Sequence, residues 1–123
     1  MNGFVSMFSL RQFWSKTNDP LDQNEFFKPF LHKANEAILS GELPTAIAFL
    51  NRAVQMAPDR LELIVKRAQV FQYGLLDYSA ALKDYRMVLN ELERCPSPAL
   101  ESACKSGIRD MMELEMSTAG VGR

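Results

Sequence analysis

Apolar residues recur at helical spacing through most of the chain, from Phe27 onward. Over residues 43–57 they fall at i, i+3, i+4 and i+7, which indicates one buried helix face: Leu43, Ala46, Ile47, Leu50, Ala53, Val54 and Ala57. Gly41 interrupts the pattern before this stretch, and Pro44 lies just inside it, where its missing N–H costs little. With the apolar positions of residues 27–40, the pattern predicts two antiparallel helices joined by a short turn.

The same pattern returns about one hairpin length later. Apolar residues again form two helix faces on either side of a glycine: Ile64, Ala68 and Phe71, then Tyr78, Ala81, Leu82, Tyr85, Val88, Leu89 and Leu92. Aligning Ala34 with Ala68 gives an offset of 34 residues, whereas aligning Ala46 with Ala81 gives 35. The second copy therefore has one extra residue, which we place at the turn around Tyr73–Leu76.

A fifth helix is expected after these two hairpins. Ser97 and Pro98 suit the N-cap and first positions of a helix over about 98–116. Its apolar face would cover the exposed end of the second hairpin: Leu100, Cys104, Ile108, Met111 and Met112. Met87, Met111 and Met112 are interpreted as core filling. The other four helices are predicted at about 27–40, 43–57, 60–73 and 77–94.

A helix–turn–helix unit of this length resembles the tetratricopeptide repeat, whose period is about 34 residues. The matching positions are small, apolar or glycine residues at equivalent places in the two copies: Ala34 and Ala68, Gly41 and Gly74, Ala46 and Ala81, Leu50 and Tyr85, Ala53 and Val88, with Pro58 closing the first copy. The resemblance implies an all-α helical-repeat array of two antiparallel helix hairpins plus a C-terminal capping helix. It also implies a platform that binds another protein and carries no chemistry of its own.

The domain organisation follows from these elements. We expect an N-terminal aromatic segment, a helical domain containing two repeats and the capping helix, and a flexible tail: residues 1–20, 21–116 (repeats about 27–60 and 61–95, capping helix 97–116) and 117–123.

The resemblance implies that binding residues lie on the first helix of each hairpin, which lines the concave face in that family. These positions are Lys28, Leu31, Asn35, Ile38 and Leu39 in the first copy, and Glu62, Val65, Gln69, Gln72 and Tyr73 in the second. Amide side chains there can donate to and accept from a peptide backbone, and Tyr73 adds a flat apolar surface. In a second interpretation, Leu31, Ile38 and Val65 pack against the N-terminal segment instead. Some members of that family bind the C-terminal carboxylate of a chaperone with a set of Lys and Asn side chains. The sequence does not support such a clamp here, because Leu31 stands at one of its Lys positions and Lys66 at one of its Asn positions.

Residues 1–18 differ from the rest of the chain. They contain Arg11 and Lys16, no acidic residue, and a dense set of large apolar residues. Three interpretations stay open for this segment: a short helix that caps the repeats, a docking or membrane-surface helix, and a mitochondrial targeting segment.

Charge and residue types narrow the functions that the chain can have. A formal net charge of −1 does not provide the basic surface that nucleic-acid binding needs, and no apolar run approaches the ~20 residues of a membrane span. His32 is the single histidine, and Cys95 and Cys104 lack metal-ligand spacing. We therefore expect no enzymatic activity, no cofactor, no metal, no nucleic acid and no membrane partner.

Two functions remain after these exclusions. The first is a non-enzymatic adaptor or scaffold that holds a peptide or helix of another protein on the concave face. The second is a structural subunit or fragment of a longer helical-repeat assembly, because such arrays usually need at least ~3 repeats for stability. The expected compartment is the cytoplasm, with the mitochondrion as the alternative.

Overall fold

The computed structural model describes residues 8–13, 15–17 and 25–121, with side chains described over residues 25–117. The described part is helical apart from a short two-stranded ribbon, which confirms the predicted all-α class. Its five α-helices are α1 (Lys28–Leu39), α2 (Leu43–Met56), α3 (Leu61–Gln69), α4 (Tyr78–Glu91) and α5 (Pro98–Val121). A π-helical segment, Val70–Gly74, continues α3 and is called the π-turn below.

The first hairpin packs α1 against α2 across a turn that glycine makes possible. Gly41 has φ of +78°, a left-handed conformation that costs a residue with a Cβ about 1–2 kcal/mol. Its N–H donates to the carbonyl of Ile38 at 3.1 Å, and the N–H of Glu42 donates to the carbonyl of Ala37 at 2.8 Å. These two bonds satisfy carbonyls at the end of α1 in the manner of a Schellman motif. The predicted stop at Gly41 and the new helix containing Pro44 are both confirmed.

The second hairpin packs α3 against α4 and absorbs the predicted extra residue in the π-turn. There the N–H of Leu75 donates to the carbonyl of Val70 at 3.0 Å, and the N–H of Asp77 reaches the carbonyl of Phe71 at 2.8 Å. Each turn of a π-helix holds more residues than an α-turn, so an insertion is accommodated locally. Leu76 then reverses the chain with φ of +56°, although it has a side chain.

Small residues lie where the helices cross. Five of them are completely buried: Ala34, Ala46, Ala53, Ala68 and Ala81. Because only a Cβ separates the backbones at these positions, the helices approach closely and larger neighbours interdigitate around them. The predicted burial of Ala46 and Ala81 is confirmed.

Helix α5 packs on both α3 and α4. The Oγ of Ser97 accepts a hydrogen bond from the N–H of Leu100 at 3.4 Å, so the predicted N-cap is confirmed. Cys104 is completely buried, as its place on the predicted apolar face requires. Helix α5 continues past the expected end at about 116 to Val121, so residues 117–121 of the expected tail are helical. Good helix formers at 113–116 and no proline afterwards explain this extension. Residues 122–123 of the expected tail lie outside the described residues.

The three methionines that were assigned to the core differ in their exposure to solvent. Met111 is buried, but Met87 and Met112 are 40% and 56% exposed, so their interpretation as core filling is wrong. Helix α5 has 24 residues whereas α4 has 14, so α4 is too short to cover the whole length of α5. Surface is left open along α5 as a result.

Near the N-terminus, strand β1 (Phe8–Phe13) pairs antiparallel with β2 (Ser15–Thr17). The pairing is irregular, because Leu10 lies opposite both Lys16 and Thr17. A helix is therefore wrong for these residues, and the alternation of apolar and polar types from Phe8 to Arg11 is the period-2 signal of a strand. The predicted roles of segment 1–20 as cap, docking helix or targeting segment also depend on residues 1–7, 14 and 18–20, which lie outside the described residues.

Candidate functional site

A concave surface lies between the end of α1, the start of α2 and the π-turn. This inner groove encloses about 350 Å³. Its lining includes three residues expected on the concave face, Ile38, Gln69 and Tyr73. The remaining lining includes Leu43, Lys66 and Gly74. The structure therefore brings part of the predicted binding set together at the turn end of the hairpins.

Polar and aromatic groups at the inner groove are available to a ligand. Within the described residues, the exposed amide of Gln69 makes no side-chain hydrogen bond and Lys66 makes no ion pair. Tyr73 is 60% exposed, and its hydroxyl donates to Asp110 Oδ2 at 2.9 Å. Desolvation and the hydrogen bond to the Asp110 carboxylate raise the pKa of Tyr73. The bond fixes the ring while leaving much of its surface uncovered.

The close approach of α2 to the π-turn shapes the floor of the inner groove. A Cβ at Gly74 would lie 2.7 Å from Leu43 Cδ1, which is closer than real Cβ contacts. The absence of a side chain at Gly74 therefore admits the Leu43 side chain, and Leu43 supplies apolar surface beside Ile38.

Two of the predicted binding residues are wrong, because they belong to the core. Val65 is 5% exposed and packs in the cluster formed with α4 and α5. Gln72 is 3% exposed, since it lies in the π-turn and faces α4 and α5. Its Oε1 accepts from the Tyr85 hydroxyl at 2.8 Å, and its Nε2 donates to the carbonyl of Gly107 at 3.0 Å. This amide links the second hairpin to α5.

The other predicted positions are spread along α1 and α3 without lining the inner groove. Lys28 pairs with Glu25, and Glu62 lies 3.7 Å from Arg60, both toward the starts of their helices. Leu31 is half-buried and packs against two apolar clusters, which accounts for it without the N-terminal segment. Asn35 is half-buried, and Leu39 is 88% exposed at the end of α1.

An ion pair between a partly buried arginine and a buried carboxylate connects α3 to α4 and was not predicted. Arg67 Nε donates to Asp84 Oδ2 and its Nη2 donates to Asp84 Oδ1, both at 2.8 Å. Arg67 Nη1 also donates to Asn51 Oδ1 on α2 at 2.9 Å. Asp84 is 4% exposed. The available sequence signal was an acidic residue three positions after Ala81, on a face that is otherwise apolar.

Tyr85 is the largest of the completely buried side chains, and a glycine in α5 makes room for it. A Cβ at Gly107 would lie 2.5 Å from Tyr85 Cζ. Burial raises the pKa of the Tyr85 hydroxyl, which stays protonated and donates to Gln72. This position of Gly107 could not be recognised from the sequence, since a glycine inside a helix has many possible causes.

A second concave surface lies along α4 and the C-terminal half of α5. This lateral groove encloses about 830 Å³. Its lining is mainly apolar and includes Tyr78, Leu82, Ile108, Met111 and Met112, together with the acidic Glu115. This groove was not predicted, because the apolar pattern of α5 does not separate residues that pack against the second hairpin from residues that line an open surface.

Groups that could support chemistry are separated from one another. Cys104 is buried, and desolvation raises the pKa of its thiol to about 11, which keeps it protonated near neutral pH. Cys95 is exposed, and His32 on α1 lies 3.1 Å from Glu36. Among the residues that the structure describes, no cluster of three His, Cys, Asp or Glu side chains could hold a metal ion. Within the same residues, no helix has the length and apolar character to cross a membrane.

No family model matches the chain, and neither a curated protein nor a solved structure shows significant similarity to it. The likeness to the tetratricopeptide repeat therefore remains a prediction that depends on the residue pattern. Its functional consequences enter below as proposals.

Proposed function

We propose that this protein is a non-enzymatic adaptor that holds an extended peptide or a helix of another protein in the inner groove. The observation that carries the proposal is the exposed ring of Tyr73 beside the unpaired amide of Gln69, in a concave surface with apolar walls. Tyrosine is enriched among residues that dominate binding energy at protein interfaces.

The groove offers the two kinds of contact that peptide recognition uses. Ile38 and Leu43 provide apolar surface for a side chain of the partner. The amide of Gln69 can donate to a backbone carbonyl and accept from a backbone N–H of the same peptide. The Tyr73 ring is held by its bond to Asp110, so little side-chain entropy is lost when a partner packs on it.

The test begins with an affinity pull-down using the intact chain, followed by affinity measurements with the partner recovered. We expect Gln69→Ala combined with Tyr73→Ala to weaken binding about tenfold or more, which is about 1.4 kcal/mol, because tyrosine is enriched among the interface residues whose truncation costs most. Gln55→Ala is the matched control, because Gln55 is an exposed amide on α2 outside the groove lining. Circular dichroism should show the same helix content in all variants. Unchanged affinity in the folded double variant would contradict the proposal and direct attention to the aromatic N-terminal segment.

A second candidate function is a structural subunit of a larger helical assembly. The observation that favours it is the lateral groove, because a further helix packed there would extend the array beyond α5. Thermal denaturation distinguishes the candidates: an adaptor complete in itself melts cooperatively as a monomer, whereas a subunit gains stability when it assembles.

A further inference from the structure

The exposed flank of α5 carries an apolar ridge beside a groove. Ile108, Met112 and Met116 are spaced four residues apart, so they form one stripe along the helix, called the methionine stripe below. Met112 is 56% exposed and Met116 is 71% exposed. The lateral groove lies along one side of this stripe, and a shallower groove of about 330 Å³ lies along the other, between Lys105 and Glu113.

A ridge and a groove on one face make that face complementary to itself. In a two-fold dimer, the same patch of each subunit meets its own copy, so every projection needs a matching depression in that patch. The methionine stripe can enter the lateral groove of a second copy, while that copy inserts its own stripe into the first. Methionine suits this role, because its flexible thioether adapts to an irregular groove.

Charged side chains line the smaller groove beside the stripe. Arg109 precedes Met112 and Glu113 follows it, whereas Lys105 is already paired with Glu101 at 2.8 Å. An antiparallel arrangement therefore sets Arg109 of one α5 beside Glu113 of the other. Arg109 and Glu113 have no ion-pair partner within the described part of the chain, and the Arg109 guanidinium bonds only to Ser106 Oγ, at 3.2 Å.

We propose that the ligand of this flank is a second copy of the same chain. In the dimer, the two α5 helices pack antiparallel about an axis near Met112. Arg109 of each subunit then faces Glu113 of the other, which gives two equivalent ion pairs. This inference rests on the second candidate function and names its partner. An unrelated helix would also fit an apolar groove, but it would not account for the ridge, or for Arg109 and Glu113, which have no ion-pair partner among the described residues.

Charge reversal tests the arrangement directly. Sedimentation equilibrium of the full chain up to about 0.5 mM should show a dimer, because a dissociation constant of about 0.1 mM would already leave most chains paired there. Arg109→Glu alone and Glu113→Arg alone should each weaken association at least about tenfold, because like charges then face each other twice. An equimolar mixture of these two variants should recover dimers, since every contact in the mixed pair is again between opposite charges. Glu42→Arg, an exposed acid in the first hairpin, is the control and should leave association unchanged.

Two results would overturn the inference. A parent chain that stays monomeric over this range excludes the second copy and leaves the flank to another occupant, such as residues 1–24 or another protein. A parent that dimerises while the mixture stays monomeric excludes the antiparallel α5 pairing. Neither result affects peptide binding in the inner groove, which is measured with different variants.

Discussion

The first hairpin is closed by one glycine and packed by apolar side chains, whereas the second has an extra residue, a strained turn and buried polar groups. Gly41 takes the left-handed conformation at the first turn, and Leu76 takes it at the second. Arg67, Asp84 and Gln72 form their hydrogen bonds in or around the second hairpin. Two units with nearly the same spacing of apolar residues are therefore stabilised by different interactions.

The extra residue of the second hairpin changes which internal hydrogen bonds that hairpin can make. The π-turn directs the Gln72 amide toward α4 and α5, where it meets the Tyr85 hydroxyl and the Gly107 carbonyl. The first hairpin has no equivalent inward amide among its described residues. The second hairpin thereby acquires directional bonds to α5 in addition to apolar contacts, and such bonds are specific in geometry.

The largest expected difference between the hairpins concerns the Arg67 and Asp84 pair. Arg67→Met leaves the buried Asp84 carboxylate without a partner, which should lower the free energy of unfolding by about 3–5 kcal/mol. Urea denaturation followed by circular dichroism measures the change. Arg67→Met combined with Asp84→Leu should recover part of the loss, because no lone buried charge remains. Lys28→Met, which removes an exposed ion pair of the first hairpin, should cost less than about 1 kcal/mol. Equal effects of Arg67→Met and Lys28→Met would contradict the comparison.

A smaller effect is expected where α5 meets the second hairpin. Gly107→Ala should destabilise the protein, because overpacking costs about 1–3 kcal/mol and the gain in helix propensity is only about 1 kcal/mol. The Tyr85 ring cannot move away, since it is completely buried and hydrogen-bonded. Gly74→Ala provides the comparison, because its new Cβ meets only the flexible end of Leu43. In thermal denaturation, the melting temperature of Gly107→Ala should lie below that of Gly74→Ala. The reverse order would show that Tyr85 is free to shift.

The smallest effects, of opposite sign, are expected at the two turns. Gly41→Ala should destabilise by about 1 kcal/mol through backbone conformation alone, because no atom lies within 4 Å of the added Cβ. Leu76→Gly should stabilise by up to about 1 kcal/mol, because it relieves the left-handed strain and Leu76 is 64% exposed. Chemical denaturation of both variants measures the two changes in the free energy of unfolding. A loss of stability in Leu76→Gly would show that the Leu76 side chain contributes packing that outweighs its strain.

Local patterns in the sequence predicted most of the helices. Ala46 and Ala81 marked the crossings, Gly41 marked the first turn, and Ser97 marked the start of α5, because each depends on neighbours within a few residues. Gln69 and Tyr73, two residues of the predicted binding set, line the inner groove. Long-range geometry decided the rest: Gln72 faces inward because of the conformation of the π-turn, and the lateral groove exists because α5 is longer than α4.

The π-turn also bears on how a helical hairpin tolerates an extra residue. An extra residue inside a regular α-helix rotates everything after it by about 100° around the axis. Here the chain keeps its later helices in place, as Ala81 is completely buried just as Ala46 is. A strict period of 34 would pair Ala46 with the half-buried Ala80 instead. A hairpin that takes up an extra residue in this way changes in length while its helix interface stays in register.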